Sequence, residues 1–228
     1  MILTVVFLIT LFILFKLLIG YIRDDSPQDE TPVLDPKQPI RMVVVGCSGS
    51  GKSYLTKELA NKYSLDRIEL DYIHWRPNWN EATEYEFTCK LNELLDASEK
   101  KIATGQSRGW VIDGNYTKRV PRITWSKANF AIWLDYSLSI VLFRLLTRTF
   151  KRIIFKEPVC NGNVESLSNF LASRDSLLLF VINNHPNLEK KLPVMLDEFK
   201  ETMPLLRLRS PHRCNKWLNS LYDSVFII

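Results

Sequence analysis

The chain has 228 residues, 46% hydrophobic and 24% charged, proportions that exclude a fully disordered, collagen-like or disulfide-scaffold protein. Its formal net charge is +5, and since residues 1 to 39 hold three bases against five acids, the remaining 27 bases and 20 acids make the rest of the chain +7. That excess suits a polyanionic ligand such as a nucleotide, or a solvated basic surface. The four cysteines, Cys47, Cys89, Cys160 and Cys214, show no metal or redox spacing and read as reduced thiols of a cytosolic setting.

Met1 to Ile22 carries one charged side chain, Lys16. At about 1.5 Å of rise per residue such a helix spans a hydrocarbon core of roughly 30 Å, so residues 1–23 are expected to form a transmembrane anchor. A signal peptide would need a basic start and a small-residue cleavage site, and neither is present. Lys16 and Arg23 lie at the C-terminal end of the run, which predicts a single-pass membrane protein whose bulk faces the cytosol. Residues 24–39, DDSPQDETPVLDPKQP, read as an extended proline-rich, acidic linker.

A folded domain is expected over 40–228. Ile40-Arg41-Met42-Val43-Val44-Val45 has the apolar, β-branched character of a buried parallel strand. It leads into Gly46-Cys47-Ser48-Gly49-Ser50-Gly51-Lys52-Ser53, a G-x-x-x-x-G-K-[ST] loop, and a predicted helix over Lys52 to Tyr63 follows. In that loop successive backbone N–H groups point at phosphate, aided by the positive end of the helix. Lys52 would reach the β and γ phosphates of a nucleoside triphosphate, Ser53 would ligate Mg²⁺, and Tyr54 closes the nucleotide-binding set. With no N-K-x-D signature for guanine, ATP is the expected nucleotide.

Further strands are predicted at 67–70, 110–113, 130–134 and 205–208, with a clear helix over Glu81 to Ser98. The alternation means an α/β, three-layer fold with a parallel sheet covered on both faces. Asp113, at the end of an apolar strand, is the first choice for Mg²⁺, with Asp135 as the alternative. His74, Trp75, Trp79 and Tyr116 could wall a planar acceptor, or pack a loop onto the core. Residues 138–156 hold five bases and no acid, with Arg144, Arg148 and Arg152 at four-residue spacing. That spacing makes one helical stripe, either clamping transferring phosphates or solvated.

Together Leu70-Asp71-Tyr72-Ile73-His74-Trp75, the Gly114-Asn115-Tyr116 that follows Asp113, Ile132-Trp133-Leu134-Asp135, Arg144, Arg148 and Leu206 to Pro211 resemble the adenylate-kinase-related P-loop family of topology modulation proteins. The resemblance covers about Arg41 to Leu221. It implies a five-stranded sheet in the nucleoside-monophosphate-kinase order 2-3-1-4-5, a helical lid over about 138–185, and an acceptor-binding or general-base role for Asp71. Where the family has an arginine, this chain has Lys118, followed by Arg119, and its lid segment 156–169 is poor in charge. The sequence therefore predicts a membrane-anchored ATP- and Mg²⁺-dependent phosphotransferase acting on a nucleotide or small hydroxylated metabolite. In it Lys52, Asp71, Arg144 and Arg148 are catalytic. The rival is a catalytically weak nucleotide-binding switch or ATPase. No specific nucleic-acid partner and no oligomerisation motif is indicated.

Overall fold

Within Ile40–Gly46, strand β1, Met42 and Val44 enter one apolar core while Val43 and Val45 enter another. This period of two, with both faces apolar, is what a strand in the middle of a covered sheet requires. The computed structural model describes residues 37–116, 121–166, 170 and 176–223. After β1 come α1 (Lys52–Tyr63), β2 (Leu65–Glu69), α2 (Leu70–His74), α3 (Glu84–Ala103), β3 (Gly109–Asp113) and β4 (Phe130–Leu134). The chain continues with α4 (Leu138–Phe155), β5 (Pro158–Val159), β6 (Asn163–Val164), α5 (Leu177–Asp197), β7 (Leu205–Leu208) and α6 (Pro211–Asp223).

The main sheet is parallel, with strand order β2-β3-β1-β4-β7, and β5 and β6 form a separate antiparallel pair. Register brings Glu69 opposite Asp113, Asp113 opposite Val44, and Gly46 opposite Leu134. The C-terminal ends of four strands therefore meet along one edge, where open α/β sheets bind their ligands. One core takes Leu55 and Leu59 of α1, Val141 and Leu145 of α4, and Trp217 of α6. The other takes Phe87, Leu91 and Leu95 of α3, with Trp110 and Trp133 from the sheet.

Three expectations are corrected. The sheet has its five parallel strands, but its last position is held by β7, because the β5–β6 hairpin intervenes in the chain. The transmembrane helix placed before it, and with it the single-pass, cytosol-facing location, does not stand: among the described residues no helix is long and apolar enough to cross a membrane. Residues 1–23, on which both were placed, lie outside the described residues. Strand β2 stops at Glu69, and Leu70 and Asp71 open the short helix α2. Leu70 is apolar enough to continue a strand; here it is fully buried as the first residue of α2 instead.

Helix α3 starts at Glu84, three residues later than its apolar pattern suggests. Thr83 accepts the Glu86 N–H, and Glu86 returns a bond to the Thr83 N–H at 2.9 Å, a capping box. That pair satisfies two donors the helix would otherwise leave open.

Candidate active site

Where β1 ends, the chain turns through Gly46, Gly49 and Gly51 with φ of 151°, 90° and 100°. A side chain at Gly46 would lie 2.7 Å from the Leu134 carbonyl, and one at Gly49 would lie 2.8 Å from that of Val141. Only glycine lets the loop run this close to β4 and α4. Within the loop the Ser50 N–H donates to the Cys47 carbonyl at 3.0 Å, and no side chain caps the start of α1. Helix α1 therefore opens towards the loop with its first N–H groups uncapped by any side chain, the arrangement that receives phosphate. Lys52 Nζ donates to the carbonyls of Gly46 at 2.8 Å and Cys47 at 3.1 Å. Ser50 Oγ is buried without a hydrogen-bond partner among the described residues. Burial pushes the Cys47 thiol up, against the nearby Lys52 charge. The loop thus fits a polyphosphate, with Lys52 and Ser53 at the head of α1.

Helix α4 crosses this loop. Arg144 donates to the Ser50 carbonyl at 3.1 Å and lies over the Tyr136 ring. Arg148, one turn on, has its Nε buried and without a partner among the described residues. Burial, and then the charge of Arg152, push its guanidinium down, while Glu165 and Asp71 act the other way. Arg152 is tied to the nearly buried Glu165 at 2.8 Å. The predicted stripe therefore divides its work. Arg144 meets the glycine loop, Arg148 is buried with its Nε unpartnered among the described residues and feels the Asp71 charge, and Arg152 is held by a carboxylate.

Asp71 lies in the first turn of α2 and accepts the Tyr116 hydroxyl at 2.9 Å. Burial first, and then the Asp71 charge, push the Tyr116 phenol far up, so it donates at every ordinary pH. Asp113 is almost buried and pairs with Arg67 at 3.2 Å, while Arg67 also holds Glu69 at 2.8 Å and Thr56 Oγ1 at 2.9 Å. Burial raises the Glu69 carboxyl above its usual range, opposed by Arg67 and helped by Asp113 and Asp71. Asp135, the alternative metal partner, accepts two bonds from Arg207, and that guanidinium stacks 4.2 Å over Trp133. Both bonds reach Oδ2, and the pair links the end of β4 to β7.

The four aromatic side chains come together, and their rings pack on one another. His74 lies 4.6 Å from Trp75 and 4.9 Å from Tyr116, Trp75 lies 5.5 Å from Trp79, and Tyr116 packs on buried Phe87 at 5.3 Å. Lys118 and Arg119 lie outside the described residues.

Two groups of residues were missed by sequence reasoning. Asn115 accepts the Gly46 N–H at 2.8 Å and donates to the Gly46 carbonyl at 2.7 Å. Asn161 donates to the carbonyls of Tyr72 and Trp75, and Asn163 donates to that of Arg76 and accepts the Trp79 N–H. These asparagines fasten the β5–β6 hairpin to the segment that carries Asp71. Cys160, inside the hairpin, has its thiol pushed up to about 11 by burial and then by Asp71. A signal was available only for Asn115, which lies in the G-N-Y run; isolated asparagines in a polar segment carry none.

The strand order, the glycine loop and the lysine at the head of α1 define an α/β domain with a P-loop at the C-terminal edge of a five-stranded parallel sheet. No family model matches the chain, and no curated protein matches it. Among solved structures, a shikimate kinase from Bacteroides thetaiotaomicron is 16% identical, with a TM-score of 0.42 over 82% of this chain and 98% of that one. A shikimate kinase from Acinetobacter baumannii in complex with shikimate is 12% identical, with a TM-score of 0.43 over 83% and 96%. An unliganded sugar kinase from Janibacter sp. HTCC2649 is 20% identical, with a TM-score of 0.46 over 81% and 95%.

Proposed function

We propose that the protein is an ATP-dependent phosphotransferase that moves the γ-phosphoryl group to a nucleotide or a small hydroxylated metabolite. It keeps the kinship to adenylate-kinase-like, topology modulation P-loop proteins that its G-N-Y and L-D-x-x-x-W residues suggest. The observation that carries the reading is the arginine stripe of α4. It sets Arg144 on the Ser50 carbonyl of the donor loop, while Arg148, about 6 Å further along the helix axis, feels the Asp71 charge. In this reading successive turns of one helix serve the donor loop and the acceptor carboxylate.

In this reading the Gly46 to Ser53 loop binds the triphosphate, and Lys52 carries its ammonium to the β and γ phosphates. Ser53 and Asp113 would hold Mg²⁺, which when bound neutralises phosphate charge. Arg144 and Arg148 stabilise charge that spreads over the transferring oxygens, and Asp71 accepts the proton of the acceptor hydroxyl. Such chemistry rests on positioning and electrostatics and asks for no covalent nucleophile.

A nucleotide-binding module without transfer is the second reading. It is favoured by the Tyr116 hydroxyl on Asp71 and by Arg67 on Asp113, which engage the two carboxylates that catalysis needs. Calorimetry of the full chain with Mg-ATP separates the two, followed by transfer from labelled ATP to a panel of nucleoside monophosphates and small hydroxylated metabolites. Binding that is lost in Lys52→Ala, together with transfer to one acceptor, is the expected result. Binding without transfer leaves the second reading, and absence of binding overturns both.

A further inference from the structure

We infer that Asn115 is a positioning residue of the donor loop, holding Gly46 by both of its backbone groups so that Lys52 can leave the Gly46 carbonyl for a phosphate; this rests on the phosphotransferase reading. The ladder between β1 and β3 ends at the pair Val44 and Asp113. Past that point β3 turns away, and Gly46 is paired with a strand only on its β4 side, at Leu134. A carboxamide has one acceptor and one donor face, the same pattern as a peptide group. Asn115 presents both to Gly46, accepting its N–H at 2.8 Å and donating to its carbonyl at 2.7 Å. The opposite amide orientation would set NH₂ against N–H and oxygen against oxygen, so the two bonds define how the side chain lies. In effect one side chain prolongs the sheet up to the first residue of the loop.

The Gly46 carbonyl has a second donor, Lys52 Nζ at 2.8 Å. A buried carbonyl stripped of its last partner is costly, whereas one that keeps a partner is not. With Asn115 in place, Lys52 can move to a phosphate and leave the carbonyl satisfied. Without it, the lysine is the carbonyl's remaining side-chain donor, and releasing it competes with nucleotide binding. Asn115 thereby touches no phosphate yet sets the affinity for one.

The test is calorimetry of the full chain with Mg-ATP for wild type, Asn115→Ala and Asn115→Asp, with a melting curve for each. The alanine variant should bind Mg-ATP on the order of tenfold more weakly. The aspartate variant should bind more weakly again, although its shape is closer to asparagine. Its carboxylate cannot donate to the Gly46 carbonyl, and it attracts the Lys52 ammonium. A residue that only supports the fold gives the reverse ranking, aspartate milder than alanine and in step with melting temperature. That ranking, or an alanine variant within about twofold of wild type, overturns the inference. If the alanine variant does not fold, the isosteric aspartate variant decides alone: undiminished Mg-ATP affinity overturns the inference and a marked loss supports it. Wild type that fails to bind Mg-ATP instead overturns the phosphotransferase reading.

Discussion

A phenol that donates to a carboxylate makes the bond that an acceptor alcohol makes to its general base. Tyr116 makes that bond to Asp71 at 2.9 Å and keeps its proton because burial and the Asp71 charge both hold the phenol up. In the proposed reaction an acceptor hydroxyl would displace Tyr116 or share Asp71 with it. Asp71→Asn should lower phosphoryl transfer by about 10²- to 10⁴-fold while leaving Mg-ATP binding intact, as steady-state kinetics beside calorimetry will show. Tyr116→Phe should act in the other direction, lowering the acceptor KM and leaving the ATP KM unchanged. A rise in acceptor KM would mean that Tyr116 assists binding rather than competing with it. Asp71 and Tyr116 were each legible in the sequence as candidates. Their pairing across 45 positions was not, because it depends on how α2 and the turn after β3 are set against one another.

At the scale of elements, the glycine-lysine loop made α1 readable to the residue and the β-branched run made β1 readable to within one residue at each end, since both signals are local. The break between β2 and α2 was not readable, because apolar Leu70 suits either a buried strand or a buried helix start. The capping box at Thr83 and Glu86 was present as T-x-x-E, but the apolar period of Phe87, Leu91, Leu94 and Leu95 does not fix the first turn, and the start was set three residues early at Glu81. Thr83→Ala should cost about 1 kcal/mol of stability, measured by denaturant unfolding, and should not touch nucleotide binding. The arginine stripe was legible as a stripe, whereas its division among loop, acceptor side and Glu165 needed the fold. That division predicts separable defects. Arg144→Ala should weaken Mg-ATP binding, and Arg148→Lys should lower kcat with little change in the ATP KM, because lysine cannot reproduce the planar guanidinium fork. Equal losses of binding in both variants would mean that α4 acts on the donor alone.

Across the whole molecule, the hairpin after α4 closes one side of the candidate site through side-chain amides. Asn161 and Asn163 together donate to the carbonyls of Tyr72, Trp75, Arg76 and Cys160, and Trp79 adds a bond to the Val164 carbonyl. The charge-poor character of this segment, read from sequence as a departure from the family's lid, has a physical counterpart. Its contacts to the acceptor side are made by amides to backbone carbonyls, which need no charge. Asp71 itself is exposed; in the proposed transfer, a hairpin held in this way would limit water once an acceptor covers that carboxylate, and exclusion of water is what separates transfer from hydrolysis. Replacing Asn161 and Asn163 together by alanine leaves those carbonyls without their donors and frees the hairpin from the 72–80 segment. The double variant should show faster limited proteolysis within 157–164 and a higher ratio of ATP hydrolysis to acceptor phosphorylation, with Mg-ATP affinity kept because the donor loop is held separately by Asn115. Unchanged partition between water and acceptor, in a variant whose hairpin is demonstrably loosened, would show that the wall of the site lies elsewhere and that the clasp serves only to order the chain between α4 and α5.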